Sequence, residues 1–199
     1  MKTQLKISLV LISCFLIGIS GIKSNVEAGP IKNSRDILKI GKKIPDAVLE
    51  SQGQGKVGLK SLVGKVKIIS VVPKLNTPVC DKQTHQLSEE NGGLDQFIDI
   101  ITISTNSSQG QMEFAEKAKI NNLIFLSDKP AFEFGKNTGL LMKNMNMLRR
   151  TILVLDSDNI IKYVDFVPRG GLPDIEKAFE EARKVLEEEK FNKDNNPKT

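Results

Sequence analysis

Thiols and imidazoles are almost missing from this chain. Its 199 residues include two cysteines, Cys14 and Cys80, and a single histidine, His85. So small a stock excludes a zinc-type site built from Cys and His ligands, and no metal or other cofactor is implied. There is no Cys-x-x-Cys pair, which argues against a dithiol oxidoreductase. Excess charge of one sign is equally scarce. The formal net charge is +5, and it falls to +3 once residues 1–28 are set aside. No Lys/Arg stripe interleaved with aromatics is present, so a nucleic-acid partner is not expected. The one long apolar run is confined to residues 7–22; elsewhere a hydrophobic content of 39% and a charged content of 27% describe an ordinary globular domain.

That run has a processing signature. Lys2 and Lys6 precede it, and Val26-Glu27-Ala28 follows as a small-residue cleavage motif. Residues 1–28 are expected to be a signal peptide removed before Gly29, which would export the protein to a periplasmic or external space. The run is too short for a comfortable transmembrane span. A second processing reading starts from Leu11-Ile12-Ser13-Cys14, a lipobox-like sequence whose lipidated Cys14 would hold the protein at a membrane. Because apolar residues continue past Cys14 through Ile19, release is the preferred expectation.

Beyond the leader, residues 29–43 form a polar lead-in expected to be loosely packed. A hairpin is expected over 47–60, and Val66–Val72 is β-branched and mostly apolar, as a buried central strand should be. Helix is expected from Cys80 to about Gly92, then strand over 98–104 and helix over 109–118. Strand 123–126 and helix 131–138 follow, and strands 151–155 and 160–167 form a second hairpin. A last helix opens at Pro173 with Ile175, Ala178, Phe179, Ala182, Val185 and Leu186 on one face. Its charged residues Glu176, Glu180, Glu181 and Glu187 read as a solvated surface. Residues 190–199 read as a disordered polar tail. Strands alternating with helices over residues 44–189 imply one α/β domain.

Cys80 sits in a distinctive frame, Pro73-Lys74-Leu75-Asn76-Thr77-Pro78-Val79-Cys80, between the central strand and a helix. Helix N-termini present unpaired N–H groups and partial positive charge, which favour an anion. A thiolate there is a nucleophile, whereas a core cysteine is inert. His85 lies five positions on and points away from Cys80 on a helix, which suits the surface better than a general base.

These residues resemble the peroxiredoxins, and most closely the bacterial thiol peroxidases. The match runs from about Gly41 to Leu186. It is carried by Ser70-Val71-Val72-Pro73, Asn76-Thr77-Pro78-Val79-Cys80-Asp81, Leu126-Ser127-Asp128 and Leu148-Arg149-Arg150 leading into Leu153-Val154-Leu155-Asp156. The resemblance implies a thioredoxin-like fold, a central mixed β-sheet flanked by helices with an N-terminal hairpin. It also implies that Cys80 is the peroxidatic nucleophile, completed by Thr77, Arg150 and Pro73. Arg150 would hold the thiolate and donate to peroxide oxygen. The Thr77 hydroxyl would accept from peroxide and donate to sulfur, and Pro73 would shield the sulfur. Dimerisation is a further family expectation.

One element departs from the pattern. Thiol peroxidases usually carry a second, resolving cysteine after the next strand, where this chain reads Glu113-Phe114-Ala115. Ala115 occupies the expected position, so no intramolecular disulfide can form in a chain cleaved at Gly29. The expected cycle is a 1-Cys reduction of hydrogen peroxide and organic hydroperoxides, resolved by an external thiol or redoxin. The alternative is a non-enzymatic redox sensor or binding module on the same scaffold.

Overall fold

A computed structural model describes residues 33–142 and 144–195. The leader expected over 1–28, with both of its processing readings, lies outside these residues. The chain opens with a short helix α1 (Ser34–Ile37) and a hairpin of β1 (Val48–Ser51) and β2 (Gly55–Gly58). It continues through β3 (Lys67–Val71), α2 (Pro78–Glu89), β4 (Asp99–Ser104), α3 (Ser108–Ala118), β5 (Ile124–Ser127) and α4 (Glu133–Thr138). A two-stranded ribbon of β6 (Leu141–Met142) and β7 (Met147–Leu148) then leads into β8 (Thr151–Leu155), β9 (Ile161–Phe166) and α5 (Ile175–Asn195).

Seven strands form one mixed sheet in the order β2-β1-β5-β4-β3-β8-β9. β3, β4 and β5 run parallel, and β8 runs antiparallel to β3. The hairpin is not separate from the sheet, because β1 pairs with β5 and extends one edge. Every residue of β3 and of β8 is buried, as expected of strands covered on both faces. Alternation divides their side chains between two cores. Ile69, Val71, Leu153 and Leu155 pack with Leu49, Phe134 and Leu148 on one face. Ile68, Ile152 and Val154 pack with Leu87 of α2 and Ala178, Phe179 and Ala182 of α5 on the other. Each large apolar side chain buried in this way stabilises the fold by roughly 1.5–3 kcal/mol.

Three expectations need correction. The lead-in is tied down over its described part: Leu38 is 1% exposed in the first core, and the N–H groups of Gly41 and Ile44 donate to the carbonyls of Ile161 and Asn159. A polar average over the segment hides Leu38, which does the anchoring. The expected disordered tail is helical as far as Asn195, with the Lys190 ammonium 5.2 Å from the centre of the Phe97 ring. That helix opens at Ile175 and not at Pro173, because Asp174 supplies the cap by accepting from the N–H of Lys177 at 2.9 Å. The central strand also contains a fully buried lysine. Lys67 donates to the carbonyls of Lys65 and Asp156 at 2.6 and 3.3 Å, and burial pushes its pKa below the ordinary lysine value.

Candidate active site

The register of β3 against β8 sets Val71 opposite Thr151. The exit of β3 and the entry of β8 therefore meet at one end of the sheet. β3 leads through Val72 and Pro73 into the turn before α2, and Leu148-Arg149-Arg150 leads into β8. The main chain at Arg150 is pinned on either side: the N–H of Arg149 donates to Leu140 O at 2.8 Å, and the N–H of Val167 donates to Arg150 O at 3.3 Å. Two side chains seventy positions apart meet as a result, with Nη2 of Arg150 donating to Sγ of Cys80 at 3.1 Å.

α2 opens at Pro78, two residues earlier than expected, because Pro suits the first helical position. Cys80 thus lies inside the first turn, where the helix leaves N–H groups unpaired. Its side chain is 1% exposed and packs with Val72, Leu75, Phe114 and Phe125. Apolar walls make an isolated anion costly, and a guanidinium in contact offsets that cost with a charge-assisted hydrogen bond. An anion formed at this sulfur is met by both the cation and the helix end.

The arginine is itself held, by a residue the sequence reading missed. Nη1 of Arg150 donates to Oε1 of Gln83. Nε2 of Gln83 in turn donates to Oγ of Ser70 on β3 at 2.7 Å, and both Gln83 and Ser70 are fully buried. Gln83 follows Cys80 by three positions, so both lie on the buried face of α2. The only available signal was a polar residue placed between Cys80 and Leu87 on an inward face.

Thr77 and Pro73 stand differently. Thr77 occupies the cap position of α2 but makes no side-chain capping bond. Its hydroxyl donates to Lys74 O at 3.0 Å. The hydroxyl hydrogen is thus committed to the turn and not to sulfur as expected, while its lone pairs remain able to accept. Pro73 is half-buried, and its carbonyl accepts from the Thr105 hydroxyl at 3.2 Å. His85 pairs with Glu89 at 2.8 Å and Asp81 at 3.7 Å on the outer face of α2, where it has no part in the thiol's surroundings. No group of three or more His, Cys, Asp or Glu side chains able to hold a metal occurs among the described residues.

Asp128, in the Leu126-Ser127-Asp128 motif, caps α4 with both oxygens, accepting from the N–H groups of Phe134 and Gly135 at 2.8 and 2.9 Å. Burial raises its pKa to about 6. Gly135 is pressed against Leu148, two residues before Arg150, so tightly that an added Cβ would lie 2.6 Å from Leu148 Cδ2.

Residues 39–180 match the Redoxin family model. The chain is 34% identical to a thiol peroxidase of Staphylococcus saprophyticus, over 74% of this chain and 90% of that protein. It is 33% identical to a thiol peroxidase of Streptococcus pneumoniae, over 77% and 94%. The chain belongs to the Redoxin family, among the thiol peroxidases. Two solved structures share its fold: a peroxiredoxin-like protein from Aquifex aeolicus (TM-score 0.67, 24% identity, covering 74% of this chain and 88% of that one) and a thiol peroxidase from Chromobacterium violaceum (TM-score 0.63, 18% identity, covering 82% and 93%). The thioredoxin-like fold expected from the motifs is the fold observed. Within this thiol peroxidase, Ala115 lies on α3, half-buried, and Cys80 is the one cysteine among the described residues.

Proposed function

We propose that this thiol peroxidase reduces hydrogen peroxide and organic hydroperoxides through Cys80 in a 1-Cys cycle. The thiolate of Cys80 attacks one peroxide oxygen, the O–O bond breaks, and the leaving oxygen takes a proton to become water or an alcohol. Cys80 is left as a sulfenic acid, the first rung of the oxidation ladder. Arg150 stabilises both the thiolate and the charge that grows on the departing oxygen. Thr77 accepts a hydrogen bond from the incoming peroxide, and Pro73 limits access of water to the sulfur.

The observation that carries this reading is the 3.1 Å contact between Arg150 and the sulfur of Cys80; a merely structural cysteine has no use for a guanidinium. With Ala115 on α3, resolution falls to an external thiol. One thiol converts the sulfenic acid to a mixed disulfide and releases water, and a second restores Cys80. Export after cleavage at Gly29 rests on the leader sequence, and intact-mass measurement of the native protein would distinguish it from lipidation at Cys14.

Rapid mixing with one equivalent of peroxide, followed by chemical trapping of sulfenic acid at Cys80, tests the activity. The expected result is oxidation far faster than that of a free thiol. A rate no greater than that of free cysteine rejects the assignment.

A further inference from the structure

Three of the chain's five methionines, Met142, Met145 and Met147, fall within six positions, on the ribbon of β6 and β7 that leads into Arg150. The ribbon has two cross-strand pairs, Leu141 with Leu148 and Met142 with Met147. Successive residues of a strand point to opposite faces, and directly opposed residues share a face. Leu148 is fully buried and Leu141 packs beside it on the first core, where both lie against Gly135 of α4. The methionine pair therefore occupies the outer face, half-buried, and Met145 stands 49% exposed in the turn between the strands. A two-stranded ribbon is marginal by itself, so the contact between the two thioethers is half of what joins these strands through their side chains. The ribbon reaches the active site through the main chain. Leu148 is two residues from Arg150, and the N–H of Arg149 donates to Leu140 O at 2.8 Å, which closes the ribbon's base.

We infer that this ribbon is a modification site, oxidised by excess hydroperoxide to methionine sulfoxide at Met145, Met142 and Met147, and that the oxidation slows Cys80 by releasing Arg150. A thioether needs no deprotonation to react, so exposure decides the order, with Met145 first and the opposed pair after it. In each step the thioether sulfur attacks one peroxide oxygen and an S–O bond forms as the O–O bond breaks. The proton of that oxygen passes to the leaving oxygen, which departs as water or an alcohol. Sulfur is oxidised by two electrons and the peroxide is reduced by two. The product is a polar, chiral side chain in place of a flexible apolar one. Two such dipoles side by side on one face have acceptors and no donor between them, so each turns to water and the strands part. Parting frees the N–H of Arg149 from Leu140 O, and with it the main chain that brings Nη2 of Arg150 to 3.1 Å from the sulfur of Cys80. Sulfoxide reduction reverses the change, which makes the ribbon a reversible record of peroxide in excess of what the thiol cycle removes.

The test blocks Cys80 as a methyl disulfide, exposes the full chain to excess hydrogen peroxide, and then frees the thiol with dithiothreitol, which leaves sulfoxides in place. Peptide mass spectrometry follows each methionine, with Met112, half-buried on α3, as the internal reference. Sulfoxide is expected at Met145, Met142 and Met147 ahead of Met112. Oxidation of the freed Cys80 should then be about fivefold slower, the upper range of one cross-strand pair converted to a rate. Treatment with both classes of methionine sulfoxide reductase should restore the rate, and it needs no variant. The triple variant Met142→Leu, Met145→Leu and Met147→Leu nearly conserves volume and should lose no rate on the same exposure. The sulfoxide map is read without any peroxidase activity, so failure of the Cys80 assignment and failure of this one are seen separately. Oxidation of Met112 as early as the ribbon overturns the inference, as does a Cys80 rate that sulfoxide formation leaves unchanged. A slowed rate that the reductases do not restore, or an equal loss in the triple variant, overturns it as well.

Discussion

Gln83→Ala asks whether Arg150 works as a lone cation or as one member of a relay running from Ser70 to Cys80. The substitution deletes the acceptor for Nη1 of Arg150 and the donor to Ser70 Oγ. A hydrogen bond to a charged group is worth about 1.5–3 kcal/mol net. At about 1.4 kcal/mol per decade of rate, loss of that restraint should slow oxidation of Cys80 by about 10- to 100-fold. Arg150→Ala removes the cation itself and should cost about 10²- to 10³-fold, the scale of one lost oxyanion donor. If Gln83 acts only by aiming Arg150, adding Gln83→Ala to Arg150→Ala should slow the reaction no further. The coupling energy would then equal nearly the whole effect of the Gln83 change. The chain contains no tryptophan, so quenched-flow mass spectrometry of Cys80 oxidation is the suitable assay. Unfolding measurements should show a separate loss of about 1–3 kcal/mol from the unpaired Ser70. Strictly additive rate effects, or a Gln83→Ala rate within about twofold of the parent, would refute the relay, because twofold is under ~0.5 kcal/mol.

Arg150→Lys keeps the charge but not the planar fork that bonds Gln83 and Cys80 together; oxidation should fall by more than about tenfold, and an unchanged rate would make the charge alone sufficient. Gly135→Ala drives a methyl into Leu148 and Leu141 and should cost about 1–3 kcal/mol in urea unfolding, with slower Cys80 oxidation because Leu148 leads into Arg150; full stability would show that α4 can withdraw freely. Asp128 gives a pH dependence. Its folded pKa of about 6 lies above the ordinary 3.8, so its contribution to stability is fully present below the ordinary value and is lost as pH rises through about 6. Over that window the change approaches about 3 kcal/mol. Urea midpoints of the parent and of Asp128→Asn should therefore diverge between about pH 4 and 7, and parallel profiles would exclude Asp128 as the cause.

The sequence made local features readable and left distant ones to the fold. The β3 strand, the turn and the helix after it were legible because β-branched residues, Pro78 and the Pro73-to-Cys80 spacing all act within a few positions. Arg150 was nameable only through family resemblance, since nothing local distinguishes it from Arg149. Yet the two residues diverge completely in the fold: Arg149 is exposed, while Arg150 reaches Cys80 and Gln83. The Thr77 hydroxyl was assigned to sulfur on chemical grounds, and it bonds Lys74 O because a turn closes through the nearest carbonyl. The anchored lead-in was misread because one apolar side chain, Leu38, secures a stretch whose average composition is polar. The end of α5 was misread because what supports it lies outside it: Ala182 and Val185 seat the preceding turns in the core, and the Lys190 ammonium reaches the Phe97 ring.

Ser70 shows most clearly why the relay escaped a reading by composition. It interrupts the apolar β3 and would ordinarily be scored as a weak point in a buried strand. Parallel pairing with Thr102 and antiparallel pairing with Ile152 fix its height in the sheet, and that height is where Gln83 descends from α2. The same register sets Thr151 beside Val71, so Arg150 enters at the level of the turn leading to Cys80. Slipping β8 by one residue would turn every side chain of that strand to the opposite face and carry Arg150 away from both partners. The reactivity of the thiol is thus a property of strand registration as much as of its own helix, and registration is specified by two apolar cores that contain none of the reacting atoms.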